Sequence, residues 1–233
     1  MTVFERFVEK NKPVLQVALD LVDLNKAVSL AARLLYEIEE PLIIEAGTPL
    51  IKSNGITAVK ALSAIASTRR IPVLADMKIA DVGRLEVDLA AEAGASAVTV
   101  LGVSSDPTIL EALEESRSRG ITLVVDLIHV EDILRRALEL KEMGVNAIEV
   151  HVSVDVQRRL RLTAKEMLDL VSQLVRKFEG IVAVAGGLTK EGAASFAKAG
   201  VDVIIVGGAI LRASDPIAAA KEIQEVLKKA KGS

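Results

Sequence analysis

The chain of 233 residues carries 29 basic and 32 acidic side chains, and its net charge of −3 is spread along the sequence without a basic block. The charge distribution therefore argues against a nucleic-acid partner, because binding to a phosphate backbone depends on a basic patch. Cysteine is absent, which excludes a disulfide framework, a thiolate metal site and a cysteine nucleophile.

The amino terminus and the apolar runs predict a soluble, cytoplasmic protein. Residues 1–12, MTVFERFVEKNK, carry charges throughout and lack the apolar centre of a signal peptide. Every apolar run is too short to cross a bilayer, so no membrane partner is expected. Hydrophobic residues make up 51% of the chain and aromatic residues only 2%, which predicts a core of Ala, Val, Ile and Leu, as in buried parallel strands.

Short apolar runs recur along the chain, and each is bounded by turn residues and followed by a helical pattern. Their hydrophobicity is continuous rather than alternating, which indicates strands buried on both faces of a parallel sheet. The predicted strands are residues 14–20, 42–45, 72–76, 97–101, 122–126, 147–151, 182–185 and 203–206. Intervening stretches such as 24–37 and 132–142 have apolar residues at helical spacing and predict an outer layer of helices.

One strand-and-helix unit is repeated along the sequence. The segments AEAGASAVTV at 91–100, KEMGVNAIEV at 141–150 and AKAGVDVIIV at 197–206 each combine a helix end, a glycine suited to a left-handed C-cap and a strand. The repetition predicts an α/β protein in which residues 1–233 form a single (β/α)8 TIM barrel, with the first dozen residues closing its floor. The alternative is an open doubly wound sheet, but for dinucleotide binding it needs a GxGxxG turn where this chain has DLVD at 20–23.

Ionisable residues close several predicted strands, at the end of the barrel where this fold carries its chemistry. Glu149 lies two residues before His151 and is expected to share its face, deeper in the barrel. A single carboxylate in such a place can instead be a helix N-cap or part of a loop ion pair, but several on one rim favour a functional site. The residues are Asp20, Glu45, Asp76, Lys78, Asp126, Glu149 and His151.

The segment LADMKIAD combines two carboxylates with one ammonium group. Asp76 and Lys78 are two residues apart and point the same way in an extended strand, while Asp81 lies about one helical turn beyond Lys78. Such an array can keep the lysine protonated and aimed at a reacting carbon, and it leaves a carboxylate to bind a metal or take a proton. The alternative is a structural ion pair at the start of the next helix.

Glycine pairs follow the last two predicted strands. Gly186 and Gly187 in AVAGGLT, and Gly207 and Gly208 in IVGGAI, lie where a strand meets a helix. Backbone N–H groups exposed in such loops bind phosphate in many barrels, so a phosphorylated small-molecule substrate is predicted. The alternative is that the glycines only permit tight turns.

Together these motifs resemble one family. LQVALD, IEAGTPLIKSNGITAVKAL, LADMKIADVG, VVDLI, EVHVSVDVQ, VAVAGGLT and VDVIIVGGAI are similar to segments of the 3-hexulose-6-phosphate synthases, which belong to the orotidine monophosphate decarboxylase suprafamily. The resemblance extends from Val14 to the C-terminal helix. DxKxxD marks only the suprafamily, whereas its combination with GTPLIK and an HxxxDxQ segment is more specific.

The resemblance implies a reaction dependent on Mg²⁺ or Mn²⁺ that joins formaldehyde to ribulose 5-phosphate, or the reverse cleavage. It assigns the metal to Glu45 and Asp76. Lys78 would stabilise an enediolate, and His151 would transfer the proton as an imidazole that is neutral near pH 7.

The resemblance also implies roles for residues around this centre. Asp20 would bind substrate hydroxyls, and Asp126 matches the acidic position of the fifth strand. Gly187 and Gly207 match the phosphate loops. Because family members are homodimers with shared active sites, Asp81 would reach into the site of the partner.

Departures from the family pattern leave alternatives open. Ser153 stands in the loop after His151, where synthases commonly have a glycine before the aspartate. The closest alternative, 3-keto-L-gulonate 6-phosphate decarboxylase, has arginines where this chain has Val154 and Gly208, so their absence favours the synthase. Orotidine monophosphate decarboxylase fits less well, since its pyrimidine-binding loop features are not found. A non-catalytic phosphate-binding barrel would keep the glycine loops and lose the charged rim, and His129 has no matched role.

Overall fold

The computed structural model describes residues 1–231, except for the side chain of residue 154. The strands are β1 (Val14–Leu19), β2 (Leu42–Ala46), β3 (Val73–Ile79), β4 (Ala97–Leu101), β5 (Thr122–Asp126), β6 (Ala147–His151), β7 (Ile181–Ala185) and β8 (Val203–Val206). The helices are α1 (Val3–Asn11), α2 (Leu24–Glu37), α3 (Thr48–Asn54), α4 (Thr57–Ser67), α5 (Gly83–Glu92), α6 (Asp106–Arg119), α7 (Ile133–Glu142), α8 (Val154–Leu160), α9 (Ala164–Phe178), α10 (Lys190–Lys198), α11 (Gly208–Leu211) and α12 (Pro216–Lys231). None of these helices is both long enough and apolar enough to cross a membrane.

The strands form one closed barrel, in which each strand pairs in parallel with the next and β8 pairs with β1. Val14 lies opposite Val203 at this closure. The closed ring confirms the predicted (β/α)8 barrel and contradicts the alternative of an open doubly wound sheet. The carboxyl ends of all strands therefore meet at one mouth, which brings together residues that are far apart in sequence.

Strand β3 is longer than the apolar pattern predicted. It was expected to end at Asp76 but continues through Lys78 to Ile79, and its pairing with β4 shifts between Ala75 and Ile79. Lys78 adopts a left-handed φ of 49°, and its backbone N–H donates to Thr99 Oγ1 at 2.9 Å. A tertiary contact stabilises this irregular strand end, so local hydrophobicity could not predict it.

The glycines of the sequence repeat end their helices as predicted. Gly94, Gly144 and Gly200 have φ angles of 88°, 90° and 90°, in the left-handed region that favours glycine. Helix α7 differs from its predicted range by one residue, because the side chain of Asp132 caps the helix and Ile133 is its first residue.

Helix α1 closes the floor of the barrel, and its apolar side chains pack into the barrel interior. One apolar layer lies between the strands and the surrounding helices, and a second fills the barrel interior. Phe4 and Val8 of α1, each 1% exposed, belong to the inner layer together with strand residues such as Leu74 and Val203. The expectation that the first residues close the floor is therefore confirmed.

Candidate active site

Most of the predicted site residues line one cavity at the mouth of the barrel. The cavity has a volume of about 620 Å³. The predicted residues on its wall are Asp20, Glu45, Asp76, Lys78, Glu149, His151, Gly186, Gly187, Gly207 and Gly208. A cavity of about 690 Å³ lies at the opposite end beside Lys12 and Asp202, but the amino ends of barrel strands serve stability rather than catalysis.

Lys78 is held between two carboxylates from different strands. Its Nζ lies 3.1 Å from Asp76 Oδ1 and 2.6 Å from Asp126 Oδ2. Burial would lower the pKa of Lys78, but Asp76, Asp126 and Glu149 together raise it above its ordinary value. The side chain is therefore an ammonium group at any physiological pH.

Two threonines fix the orientation of the Asp76 carboxylate. Thr48 Oγ1 donates to Oδ2 at 2.6 Å, and Thr99 Oγ1 donates to Oδ1 at 2.9 Å. Neither threonine was among the predicted site residues. Thr99 is the polar residue within the apolar run AVTVL, and a hydroxyl in a buried strand needs a partner, which is the signal that could have indicated it.

His151 lies beside two carboxylates on the barrel interior. Its Nε2 is 3.2 Å from Asp126 Oδ1 and 3.1 Å from Glu149 Oε1. Neither contact has the geometry of a hydrogen bond, so both are ion pairs of the protonated ring. Burial would lower the pKa of His151, but the two carboxylates raise it to about 10. This corrects the expectation of a neutral imidazole near pH 7, because the structure favours an imidazolium. Glu149 shares the face of His151, as predicted.

Asp126 balances both of these cations from the end of β5. Its side chain is fully buried, and Oδ1 also accepts from the backbone N–H of Ile128 at 2.8 Å. Burial would raise the pKa of Asp126, but the contacts with His151 and Lys78 hold it below its ordinary value. A single ionised carboxylate thus orients the two side chains expected to act on the substrate.

Glu45 lies deeper in the barrel, among like charges. Gln16 Nε2 donates to its Oε2 at 2.7 Å, while Gln16 Oε1 has no partner among the described residues. Burial, Asp76 and Glu149 raise the pKa of Glu45 well above its ordinary value. A divalent cation would offset this repulsion, and hard cations prefer carboxylate oxygens. Glu45 and Asp76 therefore fit the Mg²⁺ or Mn²⁺ site implied by the family resemblance.

A second group of possible metal ligands adjoins this pair. One ligand atom each from Asp126, Glu149 and His151 lies within 4.8 Å of the others. Lys78 Nζ already contacts Asp126, and a protonated His151 adds another positive charge. Because this group holds its own counter-charges, the assignment of the metal to Glu45 and Asp76 is retained as the prediction.

The glycine loop after β7 is shaped by its neighbours. Gly186 and Gly187 have φ angles of 106° and 63°, which other residues rarely adopt. A Cβ on Gly186 would lie 2.8 Å from the backbone nitrogen of Ser153, whereas open space surrounds that position on Gly187. Because residue 186 has no side chain, Ser153 in the loop after β6 can pack closely against it.

The glycine loop after β8 approaches Asp20 at the mouth. A Cβ on Gly207 would lie 3.2 Å from Asp20 Oδ2 and 3.2 Å from the carbonyl oxygen of Ala18. Burial and the neighbouring Asp76 raise the pKa of Asp20. Asp20 therefore stands between the glycine loops and the acidic interior, where it can meet a hydroxyl group of a bound sugar.

Asp81 and His129 lie outside the cavity wall. Asp81 is exposed, and its Oδ1 accepts from the backbone N–H of Val82 at 2.7 Å. Within residues 1–231, no ion pair joins Asp81 to Lys78, so only part of the expected charge array forms within one chain. His129 Nδ1 lies 3.3 Å from a guanidinium nitrogen of Arg159, away from the cavity.

Known proteins of similar sequence and structure share this architecture. The family model described as "Orotidine 5'-phosphate decarboxylase / HUMPS family" matches residues 13–223. The 3-hexulose-6-phosphate synthase of Staphylococcus aureus (strain USA300) is 38% identical over 213 residues, which cover 91% of this chain and 98% of that protein.

Two solved structures extend this similarity. The 3-hexulose-6-phosphate synthase from Salmonella typhimurium has a TM-score of 0.81 and 35% identity, covering 93% of this chain and 99% of that chain. KGPDC from Streptococcus mutans has a TM-score of 0.80 and 26% identity, covering 95% of this chain and 100% of that chain. The chain therefore belongs to the orotidine 5'-phosphate decarboxylase / HUMPS family.

Proposed function

We propose that this protein is a lyase of the aldolase type, a 3-hexulose-6-phosphate synthase that interconverts ribulose 5-phosphate plus formaldehyde and D-arabino-3-hexulose 6-phosphate. The observation that carries the proposal is the placement of Lys78 between Asp76 and Asp126, beside His151, at the mouth of the barrel. The similarity to relatives named 3-hexulose-6-phosphate synthase over nearly the whole chain supports it.

The residues suit the proton and charge movements of this reaction. Loss of a proton from C1 of the ketose leaves an electron pair delocalised onto the C2 oxygen, and the Lys78 ammonium can stabilise that oxyanion. The C1 carbon then bonds to formaldehyde, whose oxygen becomes an alkoxide that must gain a proton. His151 can accept the first proton from its neutral form, which is the minor form at neutral pH because its pKa is raised to about 10, and it can donate this proton in the second step. Its acidic neighbours stabilise the imidazolium formed between the two steps.

A divalent cation would complete this centre. Glu45 and Asp76 would hold Mg²⁺ or Mn²⁺, and the bound ion would supply Lewis-acid stabilisation of the developing negative charge. Exhaustive treatment with EDTA should abolish turnover, and added Mg²⁺ or Mn²⁺ should restore it. Full activity in the metal-free protein would refute the metal assignment.

The glycine loops would bind the phosphate group of the substrate. Gly187 borders open space on the cavity wall, so its backbone is accessible to a ligand. Gly207 adjoins Asp20, which is positioned to meet a sugar hydroxyl. The phosphate and the reacting end of a five-carbon ketose can thus occupy opposite sides of one cavity.

A decarboxylase activity of the same family is the second candidate function. The structural similarity to KGPDC from Streptococcus mutans supports it. Gly208 argues against a decarboxylase, because the resemblance gives that enzyme an arginine at this position. The other position where the decarboxylase has an arginine corresponds to Val154, whose side chain lies outside the described part of the chain. A non-catalytic barrel would need none of the ionic contacts around Lys78.

One experiment separates these functions. The metal-loaded protein is incubated with ribulose 5-phosphate plus formaldehyde and, in parallel, with 3-keto-L-gulonate 6-phosphate. Formation of the hexulose phosphate at a higher kcat/KM than decarboxylation is the expected result. Preferential release of CO₂ would support a decarboxylase. Absence of turnover with both substrates would support a non-catalytic phosphate-binding barrel.

We also propose a homodimer in which Asp81 acts in the site of the partner. Asp81 stands apart from the cavity of its own chain, beside exposed apolar side chains of Val82 and Leu85, which are 51% and 57% accessible. In the proposed dimer the partner subunit would cover these apolar side chains. Asp81→Ala and Lys78→Ala proteins should each be nearly inactive, and their mixture should recover about a quarter of wild-type activity after random subunit exchange. Absence of recovery despite demonstrated exchange would place Asp81 in its own site.

A further inference from the structure

We infer that Arg212 recognises the phosphate monoester of the substrate through its guanidinium group. Arg212 directly follows the short helix α11, and its backbone N–H donates to the carbonyl oxygen of Gly208 at 3.1 Å. Arg212 lines the mouth cavity together with Gly186 and Gly187. The cation therefore belongs to the wall of the site, on the side that carries the glycine loops.

The guanidinium lies in space that a side chain at position 208 would fill. A Cβ on Gly208 would lie 2.5 Å from Nη1, 2.6 Å from Nη2 and 2.8 Å from Cζ of Arg212, all closer than van der Waals contact. The arginine side chain thus folds back over the backbone of residue 208. Because Gly208 has no side chain, the guanidinium of Arg212 can occupy this space.

Arg212 differs from the other cations of the cavity in its partners. Lys78 and His151 each contact two carboxylates. Neither an ion pair nor a side-chain hydrogen bond joins Arg212 to any other residue between 1 and 231. The guanidinium remains charged at physiological pH, so a negative partner from a ligand would be its natural counter-charge.

The distribution of charge selects the chemical class of that ligand. Inside the cavity, Lys78 and His151 are already paired with carboxylates, and Asp20 and Glu45 add further acidic groups, so the interior offers an anion no unpaired cation. A phosphate dianion should therefore bind towards Arg212, whose planar fork can donate two N–H groups to phosphate oxygens. This geometry would hold the phosphate end of the ketose at the rim and direct its uncharged end towards Lys78.

Because this role rests on the proposed function, the experiment measures phosphate binding apart from turnover. Titration calorimetry with inorganic phosphate and with ribulose 5-phosphate compares the wild type, Arg212→Ala and Arg212→Lys. Arg176→Ala is the matched control, since Arg176 is also exposed and also has no ion pair within residues 1–231. Arg212→Ala should raise both Kd values by about tenfold to a hundredfold. Arg212→Lys should have a smaller effect because an ammonium group lacks the planar fork, and the control should have none.

Kinetics distinguish recognition from a structural role. In Arg212→Ala, KM for ribulose 5-phosphate should rise while kcat at saturation stays within about threefold of the wild type. Phosphate affinity equal to that of the wild type, in a variant with an unchanged Tm, would overturn the assignment. Equal weakening for unphosphorylated ribulose would also overturn it. Arg212-dependent phosphate binding without formation of hexulose phosphate would refute the proposed function and leave the role of Arg212 intact.

Discussion

The floor and the mouth of the barrel are built from the same strands but differ in what those strands bury. At the floor, Phe4 and Val8 fill the interior with apolar side chains. At the mouth, the same interior contains Lys78, Asp126 and His151 at ion-pair distances. Apolar burial stabilises a fold, whereas buried ion pairs seldom contribute more than apolar packing would. Stability and chemistry are therefore assigned to opposite ends of the strands.

The largest expected effect is loss of turnover when the central cation of the mouth is removed. Lys78→Ala should lower kcat by about a thousandfold or more, because the developing oxyanion loses its closest side-chain cation. Lys190→Ala is the control, since Lys190 forms an exposed ion pair with Glu222 at 3.1 Å. Steady-state kinetics with the metal-loaded proteins measure the effect, and near-normal turnover in Lys78→Ala would contradict the assignment.

The matching change at the floor should affect stability instead. Phe4→Ala should lower the free energy of unfolding by about 3 kcal/mol, because it leaves a cavity in the inner apolar layer. Phe7→Ala should cost less, since Phe7 packs on the same layer while only partly buried. Denaturant unfolding gives both values, and kcat of the folded variants should stay near that of the wild type. A large fall in kcat would contradict the separation of the two ends.

A glycine at the mouth can be compared with one elsewhere that shares its backbone conformation. Gly187 has a φ of 63° and Gly120 a φ of 70°, and each has open space at the Cβ position. Gly187→Val should raise KM for ribulose 5-phosphate by about a hundredfold, through lost charge-assisted hydrogen bonds to the phosphate. Gly120→Val carries similar backbone strain at the end of α6 and should leave KM unchanged. Equal KM values in the two variants would argue against the phosphate loop.

The charges of the mouth should also make stability depend on pH. The pKa of His151 is raised from an ordinary value of 6.5 to about 10. Its contribution is therefore fully present below pH 6.5 and is lost as pH rises through about 10. From pH 6 to pH 9, the wild type should lose more unfolding free energy than His151→Asn, by about 3 kcal/mol. Parallel pH profiles would show that His151 is not held as an imidazolium.

The sequence predicted what depends on local periodicity and missed what depends on contacts between strands. The range 24–37 matches α2 because the apolar spacing and the Asp23 cap are both local signals. The face shared by Glu149 and His151 follows from strand geometry. The protonation of His151 depends on Asp126, which comes from another strand, so the sequence alone suggested a neutral ring. The position of Arg212 over Gly208 is likewise visible only in three dimensions.

The central claim is that the mouth removes a proton from C1 of ribulose 5-phosphate, and proton exchange tests it most directly. In D₂O without formaldehyde, NMR should show that the metal-loaded wild type replaces one C1 hydrogen with deuterium. Lys78→Ala should lose this exchange because the oxyanion is no longer stabilised, whereas Lys190→Ala should retain it. Absence of exchange in the wild type, or undiminished exchange in Lys78→Ala, would contradict the account.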